Sequence, residues 1–359
     1  MYPAIAVLRA LQGKIDSVLW VGSEGGMEAE LILRSQIPFE TIPAAGVHGV
    51  GWRSLPGNLW RLMQGTLAAR RILRRFQPQV LLFTGGYVAV PMALAGRSLP
   101  SLLYVPDVEP GLALKFLARF SDRIAVTAQE TSAYLAKNSR PVVTGYPTRP
   151  ELHAWTRSTG KEKLGLNNDK PVLLVVGGSK GARSINRALL ANLPALLDHC
   201  QVVHLSGTLD WAEIQQAQQT LTDAQSTNYH PFPYLHEEIG AALASADLIV
   251  SRSGASVLGE YPLFGLPALL VPYPYAWRYQ RVNADYLVRH GAALMLENHQ
   301  LEAQLLPTVL ELFADPTRLE KMGAAMKQLA SPQAADNLAQ LILELGASPL
   351  KTGGLPWSS

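Results

Sequence analysis

The residues best placed for chemistry lie where glycine and small polar side chains follow short apolar runs. Ser251-Arg252-Ser253-Gly254-Ala255-Ser256-Val257-Leu258-Gly259-Glu260 comes directly after the strand-like run Ala246-Asp247-Leu248-Ile249-Val250 and leads into an apolar helical pattern. A small-residue turn there lets backbone N–H groups and a helix N-terminus approach a bulky anion without side chains in the way. Glu260 would repel a phosphate, but its carboxylate suits the hydroxyls of a sugar. Gly177-Gly178-Ser179-Lys180-Gly181-Ala182 repeats the plan after the apolar run Pro171-Val172-Leu173-Leu174-Val175-Val176. Ser179 and the helix start can hold a diphosphate, and Lys180 adds charge. The spacing is neither a Walker A loop nor a full G-x-G-x-x-G. Either turn alone is also an ordinary strand-to-helix connection, and it is the pair that favours a ligand. Arg149 and Arg252 stand at loop or strand ends and carry the fork that suits phosphate, or a plain surface ion pair. Tyr273 to Asn283, aromatic and polar, follows another strand; it suits a sugar ring, or a loop covering the core edge. The eight histidines show no metal-ligand spacing, and neither G-x-S-x-G nor H-E-x-x-H occurs, so no metal and no cofactor are expected.

The elements that must position these residues alternate between strand and helix, which predicts parallel α/β sheets. A chain of 359 residues, 48% hydrophobic and 16% charged, is long enough for two such domains. Turn formers and prolines at Thr144 to Pro150 mark the boundary. The expected division is 1–150, 151–332, and 333–359 as a returning helix plus tail. Helices are expected at Met27 to Arg34, Leu59 to Phe76, Lys161 to Leu166, Pro316 to Ala330 and Gln333 to Leu345. Ligands in such folds sit outside the carboxyl ends of the strands, which makes a cleft between the halves the natural site. A single cysteine, Cys200, excludes an intrachain disulfide. No apolar run reaches the ~18–20 residues of a membrane span, and no charged leader precedes the first apolar run.

Net charge is only +3, yet no acidic residue occurs between Glu40 and Asp107, an interval with seven arginines. Such a block points to a membrane, nucleic acid or phosphate, or to an ordinary solvated helix face. Trp52, Leu55, Leu59, Trp60, Leu62 and Met63, interspersed with Arg53 and Arg61, suit a membrane interface. No nucleic-acid-binding signature appears, and the glycine turns argue for a small anionic donor.

Several stretches together resemble the peptidoglycan glycosyltransferases that add N-acetylglucosamine from UDP-N-acetylglucosamine to lipid I, making lipid II. These are Tyr2-Pro3-Ala4, Met27-Glu28-Ala29-Glu30, Gly85-Gly86-Tyr87-Val88, Gly145 to Arg149, Val176 to Ala182, Arg252 to Ala255, Gly265 to Ala268, and Gln280 with Asn283-Ala284. The resemblance implies a GT-B fold, two Rossmann-like parallel-sheet domains facing a cleft, with the last helix returning to the N-terminal domain. It implies that Arg149 and Ser179 bind the donor diphosphate and that the backbone of Leu235 faces uracil. Ala255, Ser256, Val257, Leu258, Gly259 and Glu260 would hold phosphate and ribose, and Gln280 the N-acetylglucosamine. Gly85, Gly86 and Tyr87 would face the pyrophosphate of a polyprenyl-linked acceptor. The region 52–75, with Trp52, Arg53, Trp60 and Arg61, would lie on the cytoplasmic face of the inner membrane as a peripheral surface. Neither nucleic acid nor a cofactor is implied.

Three departures qualify the likeness. The family opens with a strand and a Gly-Gly-Thr-Gly-Gly-His loop before Tyr-Pro-Ala, whereas here Met1 takes the residue after that histidine. The expectation is a start assigned too late, with a chain about 15–20 residues longer, about one strand and a loop. A central strand and the candidate general base would lie in that segment, so no catalytic base is assigned. Next, the family's His-Glu-Gln-Asn reads Tyr104-Val105-Pro106-Asp107, which bears on acceptor recognition; Asp107 is counted with the donor set. Last, one of the paired glutamines is Tyr279, also counted with the donor set. The alternatives are a UDP-sugar transferase with another lipid or small acceptor, and a non-catalytic nucleotide-sugar-binding protein at the membrane.

Overall fold

The computed structural model describes all residues except 25–31, 33–35, 45–54, 179–180, 276–277 and 348–359. The helix expected from Met27 to Arg34 lies almost wholly outside the described residues. The chain forms two compact units, Met1–Pro147 with Gln333–Ser359, and Thr148–Pro332. Both are α/β with parallel sheets.

The first unit opens with α1 (Tyr2–Ala10), with Pro3 in its first turn, where a missing N–H costs nothing. Next come β1 (Trp20–Ser23), β2 (Phe39–Ile42), α2 (Leu55–Phe76), β3 (Leu81–Phe83), α3 (Ala89–Ala95), β4 (Ser101–Val105), α4 (Leu112–Leu117), β5 (Arg123–Val126) and β6 (Val142–Val143). The strands make two parallel ladders, β1–β2 and β3–β4–β5–β6, packed on a shared core of Ile42, Leu73, Phe83, Leu103 and Val126. All five residues of β4 are buried, as in a central parallel strand covered on both faces. α2 starts at Leu55, four residues before the expected start, and contains Pro56 in its first turn. The last helix, Ala334–Ala347, packs its Leu338 and Ala339 with Val7 and Leu11 of α1.

The second unit begins with α5 (Arg157–Leu164). Thr156 and Thr159 form a capping box at its start, and Gly165 stops it in the left-handed conformation. The expected helix at Lys161 to Leu166 is therefore real but begins four residues earlier, at the cap. Then come β7 (Val172–Val176), α6 (Arg183–His199), β8 (Gln201–Leu205), α7 (Trp211–Gln218), α8 (Asp223–Ser226), β9 (Tyr229–Phe232), α9 (Ile239–Ser245), β10 (Leu248–Ser251), α10 (Val257–Phe264), β11 (Ala268–Leu270), α11 (Tyr279–Arg289), β12 (Ala293–Met295), α12 (Leu301–Ala314) and α13 (Pro316–Gln328). The six strands form one parallel sheet in the order β12-β11-β10-β7-β8-β9. The chain leaves β7 toward one edge and returns beside it at β10 to build toward the other. The carboxyl ends of β7 and β10 thus form the topological switch point, where such sheets bind ligands.

β12 and α12 were not expected from the sequence pattern. Pro307 lies inside α12 and reads as a helix breaker, at a cost of about 3 kcal/mol. Leu301, Leu305, Val309 and Leu312 nevertheless share one buried face. Four such burials, at about 1.5–3 kcal/mol each, outweigh the proline.

Two polar residues of β8, Gln201 and His204, are fully enclosed in this sheet. His204 on β8 has no exposed surface, and burial pushes its pKa down to about 3 despite the pull of the Asp210 carboxylate. The folded chain keeps this ring neutral, whereas an unfolded chain protonates it near 6.5. Its contribution to stability is complete above about pH 6.5 and is lost as pH falls from there toward 3. Between pH 7 and pH 5 we expect it to account for a loss of about 2 kcal/mol in unfolding free energy. Denaturant titrations of the unaltered chain and His204→Gln should differ by that slope; identical pH dependences would rule it out.

Candidate functional site

The switch point of the second unit brings the two glycine-rich turns together, because Val176 at the end of β7 pairs in register with Ser251 at the end of β10. Their glycines serve different ends. A Cβ on Gly177 would lie 2.2 Å from the Ala182 nitrogen, and one on Gly181, at φ +82°, would lie 2.2 Å from the Ser206 carbonyl oxygen. The fold itself demands both glycines. Gly254 has no positive φ, and a Cβ there would meet no atom within 4 Å. Nothing in the protein requires glycine at this position, which leaves open space beside the start of α10. Ser179 and Lys180 lie outside the described residues.

The predicted donor residues divide by position. Ala255 and Ser256 are half-buried, whereas Val257, Leu258 and Gly259 are buried. The amides of Val257 to Glu260 already bond to carbonyls of residues 254–256. Glu260 comes next on α10, and its Oε1 lies 3.4 Å from Nη2 of Arg149, 111 residues away in sequence. Burial holds the Glu260 carboxyl above its ordinary range, and Arg149 pulls it back down. The fold therefore joins the predicted phosphate-binding arginine and ribose-binding carboxylate as an ion pair. Leu235 is buried in the loop after β9.

Arg252, considered for a phosphate contact in the sequence, also makes bonds within the protein. Its guanidinium donates to the carbonyls of Val271 (3.0 Å) and Pro272 (3.3 Å) and to Ser184 Oγ (2.7 Å), and lies 5.3 Å from the Tyr273 ring centroid. It ties the ends of β10 and β11 to the start of α6. Gln280, half-buried, accepts from the Tyr273 amide at 2.9 Å. The fully buried Ser253 hydroxyl donates to the Gln280 carbonyl at 2.8 Å, and Asn283 Nδ2 donates to the Ser253 carbonyl at 3.1 Å. These bonds couple the Ser251–Ser256 turn to the start of α11, where Tyr279 is half-buried. The scaffolding roles of Ser253 and Asn283 have no signal in periodicity, since small polar side chains read as loop.

In the first unit, Gly85 (φ +114°) and Gly86 (φ +84°) form the turn from β3 to α3, and Tyr87 beside them is 60% exposed. Asp107 is half-buried just beyond β4. Tyr104, at the first place of the divergent tetrad, is fully buried. Its hydroxyl shares a 2.8 Å bond with Thr127 and donates to the Gly145 carbonyl at 3.3 Å, and burial pushes its pKa up. On α2, Leu59, Trp60, Met63 and Leu67 are exposed along one stripe, and Arg61, Arg70, Arg71 and Arg74 are exposed on the same helix. Trp52 and Arg53 lie outside the described residues. No described helix is long and apolar enough to cross a membrane, and the described residues hold no cluster of three or more potential metal ligands.

The two kinds of glycine predict opposite phenotypes. Gly254→Val should keep the melting temperature within about 2 °C and weaken UDP binding by about tenfold or more. Gly177→Ala should destabilise by about 2 kcal/mol or more through backbone overlap. Calorimetry and UDP titration of both variants check this; unchanged UDP affinity in Gly254→Val would remove the ligand from this turn.

The glycosyltransferase family 28 N-terminal domain matches residues 1–126, and the glycosyltransferase family 28 C-terminal domain matches residues 172–338. Among curated proteins, the chain is 40% identical to the UDP-N-acetylglucosamine–N-acetylmuramyl-(pentapeptide) pyrophosphoryl-undecaprenol N-acetylglucosamine transferase of Roseiflexus sp. (strain RS-1), over 91% of this chain and 83% of that one. It is 37% identical to the protein of the same name from Desulforudis audaxviator, over 96% and 95%. Among solved structures, MurG of Acinetobacter baumannii superposes with a TM-score of 0.74 at 26% identity, covering 96% of this chain and 95% of that chain.

Proposed function

We infer that this chain, which belongs to the UDP-N-acetylglucosamine–N-acetylmuramyl-(pentapeptide) pyrophosphoryl-undecaprenol N-acetylglucosamine transferases of glycosyltransferase family 28, makes lipid II from lipid I. It moves N-acetylglucosamine from UDP-N-acetylglucosamine to the undecaprenyl-pyrophosphoryl-linked N-acetylmuramoyl-pentapeptide in peptidoglycan synthesis. The observation that carries this reading is the likeness to these transferases over more than nine-tenths of the chain. The open turn at Gly254, beside the switch point and six residues before Glu260 of the Arg149–Glu260 pair, supports it.

The reaction is an inverting displacement. A hydroxyl of the acceptor sugar attacks the anomeric carbon of the donor and gives up its proton to a base. The bond from that carbon to the β-phosphate oxygen breaks, and UDP leaves with the electron pair. Arg149, Ser179 and the turns at 177–181 and 251–256 take the charge that builds on the diphosphate. Glu260 accepts hydrogen bonds from the ribose hydroxyls, and the backbone at Leu235 reads uracil. Gln280, with Tyr279, belongs to the donor-binding set, and Gln280 faces the N-acetylglucosamine. Gly85, Gly86 and Tyr87 receive the acceptor pyrophosphate, so the first unit is the acceptor side.

Titration with UDP-N-acetylglucosamine, then release of UDP on adding lipid I, tests the reaction; binding without turnover on lipid I would refute it. Glu260→Gln keeps the shape but weakens the acceptor for ribose hydroxyls. We expect the donor KM to rise by about tenfold with kcat little changed, since ribose binding is common to ground and transition states.

The same reading places the protein on the cytoplasmic face of the membrane as a peripheral protein. The exposed stripe of Leu59, Trp60, Met63 and Leu67, with the arginines of α2, supports this. Trp60→Ser with Met63→Ser should cut cosedimentation with anionic phospholipid vesicles several-fold, and residual binding should fall as salt rises. Vesicle binding equal to that of the unaltered chain would remove α2 from the interface.

A further inference from the structure

The amino ends of β10 and β11 border a cavity at the opposite end of the sheet from the donor turns. All of its lining residues belong to the second unit, and none of the roles assigned above uses it. Its volume is about 710 Å³, within the range of about 300–1,000 Å³ typical of small-molecule sites. The last turns of α9 and α10 form two walls, the segment from Leu152 to Arg157 a third, and α13 the fourth. Close packing fixes these walls before any ligand arrives. A Cβ on Gly323 of α13 would lie 2.9 Å from the Gly265 carbonyl oxygen, so that helix meets the end of α10 backbone to backbone. The Trp155 ring rests on Gly240 of α9, where a Cβ would overlap it.

The lining combines apolar surface with one unmatched charge. Trp155, Leu263, Phe264 and Leu319 are half-buried and supply the apolar part. Arg157 is occupied by Asp247 at 2.7 Å and by the Ser245 carbonyl at 3.2 Å. Lys327 donates to the Leu263 carbonyl, and among the described residues no carboxylate pairs with it. The partial charge of the α10 C-terminus offsets roughly half of the Lys327 charge, and the rest stays positive. His153 senses that charge: burial first, and then Lys327, hold its ring below the ordinary range. Glu320, the other lining carboxylate, is seven residues back on α13, about 10 Å away along the helix axis.

We propose that this cavity is a second ligand site, for a small apolar carboxylate whose charge meets Lys327 and whose body covers Trp155, Phe264 and Leu319. The anion completes the one cation of the lining that lacks a carboxylate, and the apolar body removes half-buried hydrophobic surface from water. The site is independent of the donor reading, because the glycine turns lie at the carboxyl ends of the same strands.

The test titrates the full chain with octanoate and with octanamide, which has the same body without the charge. We expect saturable octanoate binding that shifts the Trp155 indole N–H signal, and octanamide about threefold to fivefold weaker, as suits an exposed lysine. Lys327→Gln should lower octanoate to the affinity of octanamide and leave octanamide unchanged. Ala244→Trp, which fills the cavity from α9, should weaken both by about tenfold or more while UDP affinity stays within about twofold. If Ala244→Trp does not fold, the Trp155 shift in the unaltered chain and the Lys327→Gln comparison decide the matter. No saturable octanoate binding, equal affinity for octanoate and octanamide, no effect of Lys327→Gln, an unmoved Trp155 signal, or displacement of octanoate by UDP would each overturn the proposal. UDP binding, measured separately on the same samples, reports on the donor reading alone.

Discussion

The site depends first on the parallel pairing of β7 with β10. That ladder runs from Leu173 opposite Leu248 to Val176 opposite Ser251, and it alone places the two glycine turns side by side. Its register is secured at the opposite end. Asp247 accepts from the Val172 amide at 2.8 Å and from Arg157 at 2.7 Å, while Arg157 also donates to the Ser245 carbonyl at 3.2 Å. A slip of one residue would turn every side chain of β10 to the other face, taking Ser251 away from the Tyr261 hydroxyl that donates to it at 2.7 Å. Local anchors at the amino end of the sheet thus determine the geometry of a site at its carboxyl end.

Electrostatics at the switch point are a compromise. The proposed diphosphate site wants positive charge, yet α10 carries Glu260 in its first turn. Left alone in a buried position, that carboxylate would be costly. Arg149 offsets part of the penalty, at a separation of 3.4 Å that leaves the contact loose. Because two opposing influences act on Glu260, burial raising and Arg149 lowering its proton affinity, a bound anion that draws on Arg149 also changes the state of Glu260. On the proposed reading, in which Arg149 meets phosphate and Glu260 meets ribose, one ion pair would couple the two.

How much of this was legible in the sequence follows from the kind of interaction involved. Strands β4, β7 and β10 showed as short apolar runs because both faces of a parallel sheet are covered. The turns showed because glycine is conspicuous. The ends of helices were misplaced where capping decides them, as at Thr156, or where proline starts the helix, as at Pro56. β12 is only three residues long, and α12 hid behind Pro307, whose cost is outweighed by burial that only the tertiary fold supplies. Arg252 was ambiguous for a deeper reason. An arginine at a strand end serves a phosphate or neighbouring carbonyls equally well, and the choice depends on Val271, Pro272 and Ser184, far from it in sequence. The pairing of Arg149 with Glu260 is non-local in the same way.

Glycine gives the sharpest distinction between folding and binding constraints. At Gly177 and Gly181 the backbone is so close that any side chain must collide, so the residue type follows from the protein's own packing. At Gly254 neither conformation nor contact asks for glycine. A residue with more side chain would lower the entropy lost on folding, and glycine forgoes that benefit. What the missing side chain does provide is room beside a helix start, at the one place in the sheet where strand order reverses. A position that is suboptimal for the folded chain and has open space beside it is consistent with the proposed ligand. A bound anion whose oxygens must reach backbone amides is the kind of partner that requires such room.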